Sequence, residues 1–97
     1  HMAAGMVIRW REVRKMRKSD FVTGMTAQTR DGNWYLVYDG NLVDYDGYLD
    51  LEDYTDDLLD EYNQPEYDIM KVCAPSNMAW TIDDILKNHG EVLWERK

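Results

Sequence analysis

Basic residues are missing from the middle of this chain. From Asp31 to Asp68 there are thirteen carboxylates (Asp31, Asp39, Asp44, Asp46, Asp50, Glu52, Asp53, Asp56, Asp57, Asp60, Glu61, Glu66 and Asp68) and no Lys or Arg. That absence argues against the segment following a nucleic-acid backbone, because phosphate contacts are made by cations. Cys73 is the single cysteine, so no intrachain disulfide can form and a reducing cytoplasm is the expected location. No apolar run approaches the length of a signal region or a membrane span, so no membrane partner is expected. Gly-rich phosphate loops, nucleophile elbows and zinc spacings are absent too, which argues against an enzyme and leaves no cofactor to assign.

What is present is enough to fold. The 97 residues suit one small domain, and 44% are hydrophobic, including seven Tyr and four Trp. Such a chain can offset its ordering entropy, so its acidity does not signal disorder. The net charge of −8 is segregated: residues 1–30 carry seven basic and two acidic side chains, residues 31–70 carry only the thirteen acids, and residues 71–97 carry four of each. His1-Met2 resembles the pair left by a cleaved expression tag and carries no functional weight. Residues 1–18 read as that remnant and a basic arm, and residues 19–97 as one small barrel-like domain. In the arm Val7, Trp10 and Val13 recur every three residues among Arg and Lys, which predicts a short amphipathic helix over Val7 to Lys18. Met16 is an alternative natural start for a shorter chain.

Asp31-Gly32, Asp39-Gly40 and Asp46-Gly47 are hairpin signals, since type I′ turns need positive φ at both central residues. They predict strands over Met25–Arg30, Asn33–Tyr38, Asn41–Tyr45 and Tyr48–Leu51. A two-residue loop at Asp31-Gly32 would set Thr29 opposite Trp34, Ala27 opposite Leu36 and Met25 opposite Tyr38, collecting the core on that face. Asp53 to Glu61 reads as a loop with a turn capped by Thr55 that buries Leu58 and Leu59. Alternation then predicts a strand over Tyr67–Cys73. Thr81 and Asp84 frame a short helix, Ile82–His89, with Ile82, Ile85 and Leu86 buried and Gly90 as a left-handed stop, and Val92–Arg96 closes the fold. The fold class is mainly β with one or two short helices, either a small antiparallel barrel or a bent sheet.

The run Lys18-Ser-Asp-Phe-Val-Thr-Gly-Met25, the hairpin Arg30-Asp-Gly-Asn-Trp-Tyr-Leu-Val37, the acidic Asp46-Gly-Tyr-Leu-Asp-Leu-Glu-Asp-Tyr-Thr-Asp-Asp-Leu58, Tyr67-Asp-Ile-Met-Lys-Val72 and Leu93-Trp-Glu-Arg96 together resemble small proteins encoded by phages and prophages of Gram-positive bacteria. The resemblance covers residues 16–97 and rests on turn glycines and core aromatics. It implies an SH3-like barrel and a phage origin, and transfers no catalytic signature.

Other motifs weigh toward structure. A calcium loop starting at Asp44 fails on spacing, because Gly47 stands fourth where such loops need glycine sixth, so no metal site is expected. The pairs Asp56-Asp57 and Asp83-Asp84 are adjacent, diverge in direction and suit solvation better than acid–base chemistry. His89 beside a helix end suits capping as a cation, and Cys73 in an apolar strand suits the core.

The acidic tract has a bland explanation in solubility, and packing of the basic arm across it would neutralise part of it. Solubility does not require excluding every cation over this length. Thirteen charges equal those on about 22 Å of duplex at roughly 1.7 Å per charge. Tyrosines are interleaved with the acids, and tyrosine is enriched at interface hot spots. The expected partner-binding residues are therefore Asp44, Asp46, Tyr48, Asp50, Glu52, Asp53, Tyr54, Asp56, Asp57, Asp60 and Glu61, and the expected partner is a positively charged protein rather than nucleic acid. With the phage resemblance, this leads to a non-enzymatic inhibitor of a host defence nuclease, an anti-CRISPR acting on a Cas9-type enzyme, that occupies a basic nucleic-acid channel as an acidic mimic. The alternative is a phage structural or regulatory protein-interaction module.

Overall fold

Each Asp-Gly pair reverses the chain, but with three different loops. The computed structural model describes residues 15–76 and 81–97. Within them β1 (Thr26–Thr29), β2 (Trp34–Tyr38), β3 (Asn41–Val43) and β4 (Tyr48–Asp50) form the expected meander. Asp39 (φ 50°) and Gly40 (φ 81°) make the two-residue loop that joins Tyr38 to Asn41. At Asp46-Gly47 the loop is longer, because Val43 pairs with Tyr48. There the Asp44 carboxylate accepts from the amides of Asp46 and Gly47 at 2.9 and 3.0 Å.

The β1–β2 loop departs from expectation. Gly32 N donates to Thr29 O at 2.9 Å, Thr29 N donates to Asn33 O at 3.0 Å, and Gly32 takes a φ of 91°, so the loop has three residues and a glycine bulge. Ala27 consequently pairs with Tyr35, and Thr26 with Leu36. A slip of one residue exchanges the two faces of a strand. Tyr35 and Val37 therefore enter the core at 5% and 1% exposure, Trp34 and Leu36 lie on the opposite face, and Tyr38 is exposed.

β5 (Ile69–Cys73) pairs with β1, and β6 (Val92–Glu95) pairs with β5, giving one antiparallel sheet in the order β4-β3-β2-β1-β5-β6. Among the described residues the sheet is open, with β4 and β6 as its edges. Strict alternation fails along β5. Gln28 pairs with Lys71 and Thr29 with Ile69, and the bulge between them lets both Ile69 and Val72 bury completely. β1, in the middle, is covered on both faces, with Thr26, Ala27 and Thr29 all buried.

One cover is the helix α1 (Ile82–Lys87), shorter than the Ile82–His89 expected, which packs against β2 beside Trp34. Thr81 Oγ1 accepts from Asp84 N at 3.2 Å as the expected cap, while Asn88 closes the other end by donating from Nδ2 to Asp84 O at 2.9 Å. Ile82, Ile85 and Leu86 are half-buried rather than buried. Gly90 does not have the left-handed conformation expected of a helix stop. It is needed for space instead, since a Cβ there would lie 2.2 Å from Ala74 O.

The other cover is the acidic segment itself. It begins with a 3-10 turn (Leu51–Asp53), folds back through a bridge between Tyr54 and Asp60, and inserts Leu51, Tyr54 and Leu58 into the core against Ile69 and Val72. Leu58 is completely buried at a φ of 66°. Burying a leucine contributes about 2 kcal/mol, which offsets a left-handed strain of about 1–2 kcal/mol. Leu59, expected to be buried with it, is exposed. Met16 also packs in the core at 3% exposure. Of the basic helix expected over Val7–Lys18, residues 7–14 lie outside the described residues. Lys15 to Arg17 are not helical, and a 3-10 turn follows at Lys18–Asp20. No described helix is long and apolar enough to cross a membrane.

Candidate functional site

Much of the acidity is used locally before any of it can meet a partner. Asp44 closes the β3–β4 loop, and Asp50 caps the 3-10 turn by accepting from Glu52 N at 2.9 Å. Asp60 accepts from the amides of Tyr62 and Gln64, each at 3.0 Å, and Asp53 accepts from Tyr62 Oη at 3.2 Å. These four are half-buried. Asp46, Glu52, Asp56, Asp57 and Glu61 are exposed.

Cations reach the tract from outside its sequence limits. Lys15 Nζ lies 2.8 Å from Asp57 and holds that carboxyl below the ordinary carboxylate range, first by its hydrogen bond and then by its charge. Both partners are exposed, so the pair adds little stability. Arg30 Nη2 lies 3.3 Å from the buried Asp68, whose other oxygen accepts from Asp60 N at 2.9 Å. Arg96 makes no carboxylate pair there but grips the backbone. Its guanidinium donates to Asp57 O at 2.8 Å and to Ile69 O at 3.0 and 3.2 Å, tying the acidic loop to β5. The other expected acids, Asp44, Asp46, Asp50, Glu52, Asp53, Asp56, Asp60 and Glu61, form no ion pair among the described residues.

The tyrosines divide by burial. Tyr54, expected at the interface, is 1% exposed and donates to Tyr67 O at 2.6 Å, so it belongs to the core rather than to a contact surface. Burial pushes its hydroxyl well above the ordinary value. Tyr38, Tyr45, Tyr48 and Tyr62 are all more than half exposed. Tyr45 donates to Asp83 on α1, which pushes the phenol up to about 12 and lowers the Asp83 carboxyl. Tyr62 is raised by the charge of Asp53 and the hydrogen bond it donates there.

Between β4 and the segment from Asp53 to Tyr67 lies a cleft of about 470 Å³. It is lined by Tyr48, Tyr54, Tyr62 and Tyr67, by Asp50, Asp53 and Asp60, and by Leu49 and Gln64, Tyr54 being the buried member. Leu49, Tyr62, Gln64 and Tyr67 were not among the residues expected at the site. The interleaving of Tyr with acid hinted at the two tyrosines, and nothing in the sequence hinted at Leu49 or Gln64.

Elsewhere, His89 is not a helix cap. Its ring stacks on Trp34 with centroids 3.5 Å apart, and burial, reinforced by the charge of Lys71, lowers its pKa. Cys73 is buried, with its thiol pushed up by desolvation, as a core residue would be. Among the described residues no three His, Cys, Asp or Glu side chains come close enough together to hold a metal ion. No protein-family model matches this chain, and neither the curated proteins nor the solved structures include a significant match.

Proposed function

We propose that this protein is a non-enzymatic, phage-encoded inhibitor that presents an acidic, tyrosine-rich face to a basic nucleic-acid channel of a host defence nuclease, a CRISPR enzyme of the Cas9 type being the most concrete target. It would act in the cytoplasm of the bacterial host, on a protein partner and without a cofactor. One observation carries the reading: exposed acids without described cationic partners (Asp46, Glu52, Asp56 and Glu61) are interspersed along the chain with exposed Tyr45, Tyr48 and Tyr62. A field of one sign steers association with a positive groove, and tyrosines supply contact area once docked. Nucleic acid would be displaced because both ligands need the same cations.

The test neutralises acids that support no backbone. Asp46→Asn, Glu52→Gln, Asp56→Asn and Glu61→Gln are combined, leaving the caps at Asp44, Asp50 and Asp60 in place. The variant should unfold at the parent temperature, because isolated surface charges contribute little. Its inhibition of target nuclease should be weaker by about an order of magnitude, and parental inhibition should fall as salt rises. Full inhibition by the variant, with no salt dependence, would remove the mimicry reading.

A further inference from the structure

The cleft beside β4 is more than a dent in a charged surface. We infer that it is a receptor for a single arginine side chain of the partner, with the guanidinium lying against tyrosine and its N–H groups shared among Asp50, Asp53 and Asp60. This rests on the functional reading above and names the group that the acidic face would grip.

Its volume, about 470 Å³, falls within the range of ligand pockets, roughly 300–1,000 Å³. The tyrosines supply π-faces, which attract cations within about 6 Å of the ring centroid. The carboxylates are not spent: Asp50 uses only Oδ1, Asp53 only Oδ1 and Asp60 only Oδ2 in the hydrogen bonds they accept, so one oxygen of each has no donor among the described residues. Nor does any described Lys or Arg pair with them. Three carboxylates without a cation repel phosphate, which excludes a nucleotide as occupant. They do not converge closely enough to ligate a metal ion, so the matching cation is a larger one with separated donors. Guanidinium has five N–H donors in a planar fork and stacks on aromatic faces, whereas ammonium is a compact point charge with a tighter hydration shell. Arginine is therefore favoured over lysine.

The experiment titrates the isotope-labelled 97-residue protein with the blocked tripeptide acetyl-Gly-Arg-Gly-amide and with its lysine and neutral citrulline counterparts, following amide and tyrosine ring resonances by NMR. The arginine peptide should give saturable shifts centred on Tyr48, Tyr62 and Gln64, with an affinity several-fold above that of the lysine peptide, and the citrulline peptide should give none. Tyr48→Ala and Asp53→Asn should each weaken binding about tenfold, while Tyr48→Phe, which keeps the ring face, should retain it. Tyr48 is 68% exposed on an edge strand, so its loss leaves the core intact. Equal response to the three peptides, shifts spread over the whole acidic surface, or an unaffected Tyr48→Ala variant would overturn the assignment. Because none of the four acids neutralised in the inhibition test lines this cleft, the cleft can fail while the mimicry reading stands, and the two failures are told apart.

Discussion

His89 shows how one side chain trades a charge for a contact. Stacked on Trp34 and half-buried, its imidazole has an Nδ1 without a partner among the described residues. Burial and the charge of Lys71 favour the neutral ring. Since the folded value lies below the ordinary value near 6.5, the native state binds fewer protons than the unfolded chain when the pH drops past that point. The stabilisation is full above 6.5 and is lost as pH falls through the folded value. Denaturant midpoints should decline on mild acidification, the His89 ring should titrate below its ordinary pKa by NMR, and His89→Phe, which preserves the stack, should flatten this part of the profile. A ring that titrates at or above the ordinary value would contradict the account. The sequence pattern suggested the opposite charge state because His89 sits near a helix end. Asn88 fills that role, and nothing in the spacing reveals that Trp34 lies across the sheet face.

At the level of elements, the glycines separate into two kinds with different costs. Gly32 turns the β1–β2 hairpin at a φ of 91°, and a methyl group added there would meet no atom within 4 Å, so only backbone strain resists substitution. Gly90 has an unexceptional φ but a carbonyl in the way. Gly32→Ala should therefore cost about 1 kcal/mol, and Gly90→Ala distinctly more, about 2–3 kcal/mol, because backbone must move at the junction of α1, β5 and β6. Urea midpoints of the two variants check the order, and a milder effect at Gly90 would refute it. All four meander strands and the places where the chain turns were legible from Asp-Gly punctuation and apolar segments, and of the turn types only the two-residue loop at Asp39-Gly40 was. The register was not, because a two-residue and a three-residue loop differ by one bulged glycine, and that single residue decides whether Tyr35 or Trp34 faces the core. β5 was legible as a strand but not its bulge, which is imposed by pairing with β1.

For the molecule as a whole, the acidic tract was legible as a one-signed block, and its members Asp46, Glu52, Asp56 and Glu61 are exposed with no cation paired to them among the described residues. The burial of Leu58 was expected, but hidden from the sequence was that Leu51 and Tyr54 join it and make the same block one layer of the core. Asp57 and Asp68 pair with Lys15 and Arg30, and Arg96 holds the backbone carbonyl of Asp57, each partner lying far away along the chain. Apolar residues at irregular spacing between acids carry no periodic signal, so their burial is settled only by what they pack against.

The strand order carries a kinetic consequence. β1 to β4 join through short loops, whereas the central pairing of β1 with β5 joins Thr29 to Ile69 and must close a loop of about forty residues. That loop contains nearly all of the uncompensated negative charge, which closure compresses. Nucleation should thus be limited by self-repulsion as well as by chain entropy. Raising ionic strength from about 0.01 to 0.15 M shortens the screening length from about 30 to 8 Å, so stopped-flow refolding should accelerate with salt. Unfolding should respond less, because a transition state that has already closed the loop shares the repulsion of the native state.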